Sequence, residues 1–320
     1  MSNNEIIKSK GLLKNISPHS IDKNPENPRL FFRSEELDNL LASIARIGIQ
    51  VPVTVYQEKN RYILIDGERR WRCAIKLNLP TIPALIQNKP TALDNLLLMF
   101  NIHSLREQWD LFTIAMKLPK VIELIKEQKN KDPTVSELSI YTGLSSSTIR
   151  RCKLLINLPE KYKKMASDEL KLSKSKQKLT EDFFVELEKS ISVVKRKIPS
   201  IIDDTDRIRD VLILKYRTEI IPNVLHFRKI SKIARSEKLG VSKEKTINVL
   251  SKLFQDNDYS IEAAFNESAE ELYAERELET RIQWLLETIK DEKKKYLESD
   301  EIMHLLQELK NKLDRILGVG

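Results

Sequence analysis

The sequence has few of the residues that build metal clusters, disulfide frameworks and tight turns. It contains two cysteines, four histidines and seven glycines among 320 residues. Cys73 and Cys152 stand far apart, and no histidines cluster at zinc-ligand spacing. We therefore expect neither a zinc site nor a disulfide, and a reducing compartment fits. Cys73 is predicted to be a small core residue, and the scarcity of glycine predicts a chain dominated by helices.

Long apolar segments are also missing. Residues 1–8 contain no apolar signal core, and no uncharged stretch long enough to span a bilayer follows. We therefore predict a cytoplasmic protein without a membrane partner. With 41% hydrophobic and 32% charged residues, the chain reads as ordered and highly charged, and its net charge of +8 suits a nucleic-acid partner without proving one. The length allows two or three domains.

One strand–turn–helix pattern is the most informative feature of the chain. Residues 61–65 predict a strand by their β-branched and aromatic residues, Gly67 predicts a turn, and a helix follows with Arg69 and Arg70 in its first turn. Two arginines at the positive end of a helix dipole are unfavourable unless an anion joins them. Backbone N–H groups at a helix N-terminus suit phosphate. We therefore predict an anion site; the alternative is a solvated basic helix start paired with Glu68.

The segments around this pattern resemble, in order and spacing, the N-terminal domain of the ParB family of partition proteins. Residues 24–29 read Asn-Pro-Glu-Asn-Pro-Arg, residues 48–53 read Gly-Ile-Gln-Val-Pro-Val, and residues 67–72 read Gly-Glu-Arg-Arg-Trp-Arg. The family has an Asn-Pro-x-x-Pro-Arg loop, a Gly-x-x-x-Pro-Val strand and a Gly-Glu-Arg-Arg-x-Arg box. The resemblance implies a small α+β domain of the fold shared with sulfiredoxin, and CTP as the ligand whose phosphates the box binds.

The same resemblance implies the residues of the nucleotide site. The family's second phosphate motif, Glu-Asn-x-x-Arg, matches at Asn101, and its arginine matches Arg106 if two residues are inserted. Phe100 stands where the family has a glutamate that helps to hold magnesium, and a benzyl group cannot ligate a cation that requires oxygen. Glu107 is the alternative ligand, so magnesium as a companion of CTP stays open. We predict no dedicated metal ligand, no catalytic residue and at most slow CTP turnover. The implied CTP-binding residues are Gly67, Glu68, Arg69, Arg70, Asn101 and Arg106.

A helix-turn-helix is predicted in the middle of the chain. Thr134 and Glu137 form the pattern of a capping box at the start of a short helix. Gly143 permits a sharp turn, and Ser145 is a favourable N-cap for a second helix that ends near Pro159. With its Leu-Leu-Ile-Asn-Leu-Pro ending, the pattern resembles the DNA-binding domain of the ParB family.

The second of these helices is the predicted recognition helix, whose first residues would face base edges in the major groove of duplex DNA. Arg150 and Arg151 can fork onto guanine or phosphate, and lysines downstream would contact backbone phosphates. Residues 131–178 hold eleven lysines or arginines against five acidic residues. The predicted DNA contacts are Ser145, Ser146, Ser147, Thr148, Arg150, Arg151, Lys153, Lys174 and Lys176.

Helices are predicted for the rest of the chain. Residues 180–222 predict two amphipathic helices. Residues 230–250 superficially resemble a second helix-turn-helix with a turn about two residues too long, and a helical hairpin is the alternative. Apolar residues repeat at heptad spacing over residues 278–289 and 302–316. Ser299 is predicted to be the N-cap of a new helix, so the tail is expected to form two helices. They pair either with each other or across a homodimer, which would place two recognition helices on a palindromic site.

The sequence thus predicts a mostly α chain with three parts: a small α+β N-terminal domain at residues 1–118, a helix-turn-helix domain at 119–200 and a helical C-terminal region at 201–320. The predicted function is sequence-specific DNA binding in plasmid or chromosome partition, controlled by a CTP-binding switch. The resemblance implies a ParA-type ATPase as a partner and a location on the nucleoid or a plasmid. The alternatives are a nucleotide hydrolase or phosphotransferase that uses the box, a transcriptional regulator with a degenerate nucleotide site, and a DNA-bridging adaptor.

Overall fold

The computed structural model describes residues 11–27, 34–104, 110–201, 204–290 and 299–318. The described strands are β1 (Leu12–Ile16), β2 (Ile21–Asp22), β3 (Val53–Glu58), β4 (Arg61–Asp66) and β5 (Ile82–Gln87). The described helices are α1 (Ser34–Ile47), α2 (Glu68–Lys76), α3 (Ala92–Ser104), α4 (Leu111–Lys129), α5 (Val135–Thr142), α6 (Ser146–Ile156), α7 (Glu160–Leu170), α8 (Glu181–Lys197), α9 (Thr205–Arg217), α10 (Phe227–Ile233), α11 (Lys243–Gln255), α12 (Ile261–Ser268), α13 (Glu270–Ile289) and α14 (Asp300–Leu317). Short 3-10 helices lie at Pro18–Ser20, Lys174–Lys176, Pro199–Ile201, Val224–His226 and Ser236–Leu239.

The described strands form one mixed sheet in the order β1-β5-β3-β4-β2. β3 pairs antiparallel with β4, and β1 with β5, whereas the pairs β3–β5 and β2–β4 are parallel. The parallel pair β3–β5 forms because the chain runs through β4 and α2 before it returns to the sheet. The small sheet followed by many helices confirms the predicted fold class.

Helix α2 contacts both the sheet and α1. Its Ala74 is fully buried in the sheet core with Val53, while Cys73 packs against Leu37 of α1. The Cys73 thiol donates to the Leu37 carbonyl oxygen at 3.7 Å, and burial raises the pKa of that thiol. Cys73 is therefore a core residue, as predicted, and these contacts fix the position of the N-terminus of α2.

The chain divides into two compact units, Met1–Lys189 and Ser190–Gly320. In the first unit α4 and α5 pack on α6, and in the second α10, α11 and α12 pack on one another. The predicted domain boundaries stay predictions; the one between residues 118 and 119 lies inside α4. Each described helix is too short or too polar to cross a membrane.

The C-terminal predictions have a mixed outcome. Residues 180–222 form the two expected helices, α8 and α9, and residues 230–250 lie in α10, a 3-10 helix and α11. The tail forms two described helices, with α14 starting directly after Ser299 as predicted. Their pairing stays a prediction. Large apolar side chains along both helices are exposed, among them Leu278, Ile282, Leu313 and Ile316.

A buried lysine holds the end of α11 in the second unit. The side chain of Lys215 on α9 has no solvent exposure, and its Nζ donates to the carbonyl oxygens of Leu253 and Tyr259, each at 2.6 Å. These carbonyls lie at and beyond the last turn of α11, where no intrahelical donor is available. Burial lowers the pKa of Lys215 to about 8, while nearby Asp256 and Asp258 oppose the shift.

This lysine makes the stability of the second unit depend on pH. The unfolded chain keeps the Lys215 proton to a pKa near 10.5, whereas the folded chain releases it near 8. The unfolded state therefore binds more protons in this window, and the free energy of unfolding rises with pH. We expect an increase of about 2 kcal/mol between about pH 8 and pH 10 that Lys215→Met lacks. Urea unfolding of both proteins across this window measures the difference; parallel pH curves would contradict the assignment.

Candidate nucleotide site and nucleic-acid interface

The candidate nucleotide site is built on the turn between β4 and α2. Gly67 occupies this turn in the left-handed region, with φ 95° and ψ 24°, and as the N-cap it offers no side chain to the helix. The first backbone hydrogen bond of α2 runs from the Trp71 N–H to the Gly67 carbonyl oxygen at 2.9 Å. The N–H groups of the first helical turn point outward along the helix axis, where an anion is stabilised. The predicted strand–glycine–helix geometry is therefore present.

Arg70 fixes this turn from the inside. Its Nη2 pairs with Asp66 Oδ2 at 3.0 Å, and both side chains are largely shielded, with 15% and 12% exposure. Its Nη1 donates to the Pro52 carbonyl oxygen at 2.7 Å and also to that of Val51. The guanidinium therefore ties the start of β3 to the end of β4, beside the predicted phosphate position. Its predicted contact with phosphate stays a prediction.

Glu68 connects α2 to the Asn-Pro loop. Its carboxylate accepts from Arg72 Nε at 2.9 Å and Nη2 at 2.6 Å, and it accepts from the amide of Asn27. The carboxylate is nearly buried, with 8% side-chain exposure. The Glu68 carboxylate, held in this way, positions other residues. The backbone N–H of Glu68 is the group that suits a phosphate. Glu68 thus partners Arg72, whereas the solvated alternative paired it with the first-turn arginines.

The loop also reaches α3. Asn24 is buried at 4% exposure, and its side-chain amide donates to Asn95 Oδ1 at 3.0 Å. The same side chain accepts from the Glu26 N–H at 3.0 Å, and Glu26 lies 3.8 Å from Lys117 Nζ. The Asn-Pro loop therefore contacts both the box, through Asn27, and α3, through Asn24. Sequence reasoning missed Asn95; its only signal is a polar residue inside the apolar run of α3.

The second phosphate motif is only partly described. Asn101 lies exposed near the end of α3, whereas Phe100 is fully buried in the core. Arg106 and Glu107 lie outside the described residues. The position that would carry a magnesium-binding glutamate therefore faces the protein interior. Among the described residues, no three acidic, histidine or cysteine side chains are grouped to hold a metal ion, and the buried Phe100 offers magnesium no oxygen.

The first turn of α2 is nevertheless suited to phosphate. Arg69 is half-buried there, directly after Glu68 and before Arg70. That its guanidinium adds forked, charge-assisted donors to the helix N-terminus stays a prediction. A side chain at Gly67 would not fit the turn, because a Cβ there would lie 2.9 Å from Val53 Cγ1 and 3.0 Å from Arg70 Nη2. The turn therefore requires glycine, and the backbone N–H groups of the first turn of α2 are the donors that suit the phosphates of a nucleotide.

The helices α5 and α6 lie where the helix-turn-helix is predicted. The Thr134 hydroxyl accepts from the Glu137 N–H at 3.2 Å, and the Glu137 carboxylate accepts from the Thr134 N–H at 2.8 Å. The hydrogen bond from the Thr134 N–H, with those from the Thr134 hydroxyl and Lys129 Nζ, lowers the pKa of the Glu137 carboxylate to about 2. Gly143 takes φ 72° at the end of α5, and the Ser145 hydroxyl caps α6 by accepting from the Thr148 N–H at 3.0 Å. The capping box, the glycine turn and the N-cap are confirmed.

The predicted DNA-contacting residues differ in their surroundings. Ser147, Arg150, Lys153, Lys174 and Lys176 are exposed, and Ser146 is half-buried. The hydroxyls of Ser145 and Thr148 lie 2.8 Å apart and serve the helix cap. Arg151 forms an ion pair with Asp182 at the start of α8, a partner that sequence reasoning missed because it lies thirty-one residues away. The roles of all nine residues in DNA binding stay predictions.

Comparison with known proteins agrees with this geometry. Residues 2–101 match the ParB N-terminal domain family. A nucleoid occlusion protein from Geobacillus kaustophilus is 36% identical over 152 residues, which cover 46% of this chain and 50% of that protein. The chain thus spans about half the length of the curated relative that it matches.

Solved structures give a further similarity. A Pnob8-like ParB-N domain has a TM-score of 0.50 and 14% sequence identity, and the match covers 80% of this chain and 100% of that one. At this identity the similarity concerns the fold alone. A C-terminally truncated ParB from Caulobacter crescentus in complex with CTP-γ-S has a TM-score of 0.29 and 22% identity, over 56% of this chain and 93% of that one. That superposition is too loose to place a ligand.

The turn geometry gives a stability prediction. We expect Gly67→Ala to destabilise the N-terminal domain more than Gly48→Ala. Gly48 also has a positive φ, 73°, but a Cβ there meets nothing within 4 Å, so its substitution costs only backbone strain, about 1 kcal/mol. Gly67→Ala adds the clash with Val53 and Arg70 and should cost about 3 kcal/mol in total. Urea unfolding followed by tryptophan fluorescence measures both costs, and equal losses would show that the turn is not tightly packed.

Proposed function

We propose that the chain, whose residues 2–101 match the ParB N-terminal domain family, is a sequence-specific DNA-binding protein whose N-terminal domain binds CTP. The proposal includes partition or nucleoid occlusion as the process served. One observation carries it: the three segments of the ParB pattern meet at the N-terminus of α2, through the Asn27–Glu68 and Arg70–Pro52 contacts. The Gly67 turn that they surround offers donors to a polyphosphate.

Each residue of the turn has a distinct part in this proposal. The backbone N–H groups of the first turn of α2 and the Arg69 guanidinium bind phosphate oxygens. Arg70 keeps the turn in place through Asp66 and the carbonyls before β3. Glu68 holds the Asn-Pro loop against α2, so that a ligand at the turn can influence the loop. CTP itself, as opposed to another nucleotide, rests on the resemblance of the motifs.

Binding is favoured over turnover at this site. The nearest carboxylates, Asp66 and Glu68, are bound to Arg70 and Arg72, and Phe100 lies in the core. The described residues therefore supply no free oxygen ligand set that a hard cation requires. A nucleotide hydrolase or phosphotransferase would need ligands from elsewhere, so a binding switch suits this site better than an enzyme.

DNA reading is assigned to α6. Arg150 is exposed on this helix and has no ion pair among the described residues, so it can approach a guanine edge.

A homodimer is part of the proposal because α13 and α14 expose apolar side chains at heptad spacing, and equilibrium sedimentation of the full chain tests it. A ParA-type ATPase as partner rests on the resemblance alone, and co-purification with such an ATPase tests it.

Titration of the full chain with labelled CTP tests the switch, with and without magnesium and duplex DNA. We expect saturable binding that unlabelled CTP displaces better than ATP, GTP or UTP, and slow turnover. Arg69→Ala should weaken binding about tenfold to a hundredfold, because it removes charge-assisted hydrogen bonds. Arg46→Ala, an exposed arginine on α1, is the matched control and should bind normally. Rapid turnover without DNA would favour the enzyme, and absent binding with DNA affinity intact would leave the regulator or adaptor.

A second titration tests DNA reading. Sequencing of DNA crosslinked to the protein supplies the binding site. Arg150→Ala should reduce affinity for that site by about 1–3 kcal/mol while leaving affinity for random duplex nearly unchanged. Arg196→Ala removes an exposed arginine from α8 and should change neither affinity. Equal losses on site and random DNA would defeat the base-reading role of Arg150.

A further inference from the structure

A second positively charged segment lies in the second compact unit, apart from the helix-turn-helix. Residues 228–252 hold eight lysines or arginines against two glutamates. Their excess of six positive charges equals that of residues 131–178, whereas the net charge of the whole chain is only +8. The rest of the chain is therefore acidic on balance, and the positive charge is concentrated in two segments.

The turn in this segment repeats the turn before α6. Gly240 takes a positive φ of 96° at the end of the 3-10 helix Ser236–Leu239. Gly143 takes a positive φ of 72° at the end of α5. A buried apolar residue follows each glycine, Val241 at 8% exposure and Leu144 at 6%. A serine N-cap comes next, and the Ser242 hydroxyl accepts from the backbone N–H three residues on at 3.2 Å. Both segments therefore use glycine, apolar residue and capping serine to start an exposed helix.

The two helices also bury the same positions. In α6, Ile149 and Cys152 lie four and seven residues after the capping serine and are fully buried. In α11, Thr246 and Val249 occupy the equivalent positions and are buried at 0% and 3% exposure. In the first two turns of α11, Lys243, Glu244, Lys245 and Asn248 are exposed, whereas Ile247 is half-buried. The connection from α10 is longer than the three or four residues typical of a helix-turn-helix.

A buried hydroxyl pair holds this longer connection. Ser236 and Thr246 are both fully buried, and their hydroxyl oxygens lie 3.2 Å apart. Ser236 donates to the Ile233 carbonyl oxygen at 2.7 Å, so its oxygen accepts from Thr246, whose hydroxyl also lies 3.1 Å from the Ser242 carbonyl oxygen. Buried polar groups that are satisfied in this way rigidify their surroundings. The 3-10 helix is thus fixed to the start of α11.

Several cations of the segment are engaged within the protein, and others are not. Lys229 pairs with Glu262, Lys232 lies over the rings of Phe265 and Tyr273, and Lys252 lies 4.1 Å from the ring centre of Tyr259. The exposed cations that form neither an ion pair nor a ring contact with any described residue are Arg235, Lys238, Lys243 and Lys245. All of them lie on the 3-10 helix, the residue before it, or the first turn of α11.

We propose that the 3-10 helix Ser236–Leu239 and the first turns of α11 form a second surface that contacts duplex DNA. Lys243 and Lys245 bind backbone phosphates there. They stand at the positive end of the α11 dipole, where cations are disfavoured without an anion. The exposed Glu244 and Asn248 stand beside them, and such side chains recognise cytosine and adenine edges in the major groove. This second surface is independent of the nucleotide site and of α6; it has only its partner, duplex DNA, in common with the proposed function.

Composition favours duplex DNA over other polyanions. Residues 235–252 contain no aromatic residue, whereas recognition of single-stranded nucleic acid relies on stacking against aromatic side chains. No large apolar side chain is exposed between residues 226 and 277 in the part of the chain that the structure describes. An anionic membrane surface would require such side chains for insertion. A rigid turn with a basic, non-aromatic helix start suits a groove of duplex DNA.

The test removes two positive charges from this surface in the full chain. Lys243→Ala/Lys245→Ala keeps α11 helical, because both positions are exposed and alanine favours helices. The control, Lys195→Ala/Lys197→Ala, removes the same charge from exposed positions in the same unit. Duplex affinity is measured by fluorescence anisotropy over a salt series. We expect the slope of log K against log salt concentration to shrink by about 1.8 in the first variant, and to stay unchanged in the control. Hydrogen exchange should show protection of residues 236–250 on duplex binding.

Each outcome decides the proposal. A smaller slope together with protection of residues 236–250 supports it. A slope equal to that of the control overturns it, and so does a loss of affinity for single-stranded RNA that exceeds the loss for duplex DNA. The proposed function is judged separately by Arg150→Ala. If that variant loses site selectivity while the α11 variant behaves as the control, only the second surface is refuted. The reverse result refutes the role of α6 alone.

Discussion

The candidate nucleotide site depends on ion pairs between arginines and carboxylates at the N-terminus of α2. Arg70 with Asp66 and Arg72 with Glu68 place cationic groups around a helix end that already carries positive potential. The carboxylates compensate part of this charge and hold the arginines in fixed positions. Without them the turn would repel its own side chains, and the Asn-Pro loop would lose its attachment to α2. The repulsion among the positive charges of the site is therefore partly compensated within the fold, before any ligand binds.

Local features of the structure follow directly from the sequence. The Thr134–Glu137 capping box, the Gly143 turn and the Ser145 cap each depend on residues three or four positions apart, so their chemistry can be read along the chain. The start of α14 after Ser299 is also a local pattern, although the Ser299 side chain forms no capping hydrogen bond. The position of Gly67 between a strand and a helix is likewise a local pattern. All these features are present in the structure.

Other features depend on contacts between distant segments and could not be read from the sequence. Arg70 donates to two backbone carbonyls eighteen and nineteen residues earlier. Because every residue has a backbone carbonyl, the sequence does not indicate which of them accepts this hydrogen bond. Asn24 and Asn95 are seventy-one residues apart, and their pairing follows from the packing of α3. Phe100 was predicted from the motif to replace a metal ligand, but its burial depends on the tertiary fold. Sequence therefore predicted the motif residues, and packing decided which of their atoms remain accessible.

The pair formed by Arg151 and Asp182 bears on the predicted DNA contact of Arg151. Asp182 binds the guanidinium in the described structure, so under the proposed function a duplex that recruits Arg151 has to displace this internal competitor. A phosphate met in passing offers little beyond what the aspartate already provides, whereas a site that engages many groups at once can compensate for the exchange. Because both side chains are partly exposed, the pair is worth at most about 1 kcal/mol, and under this proposal Asp182 would reduce brief encounters with DNA more than lasting complexes.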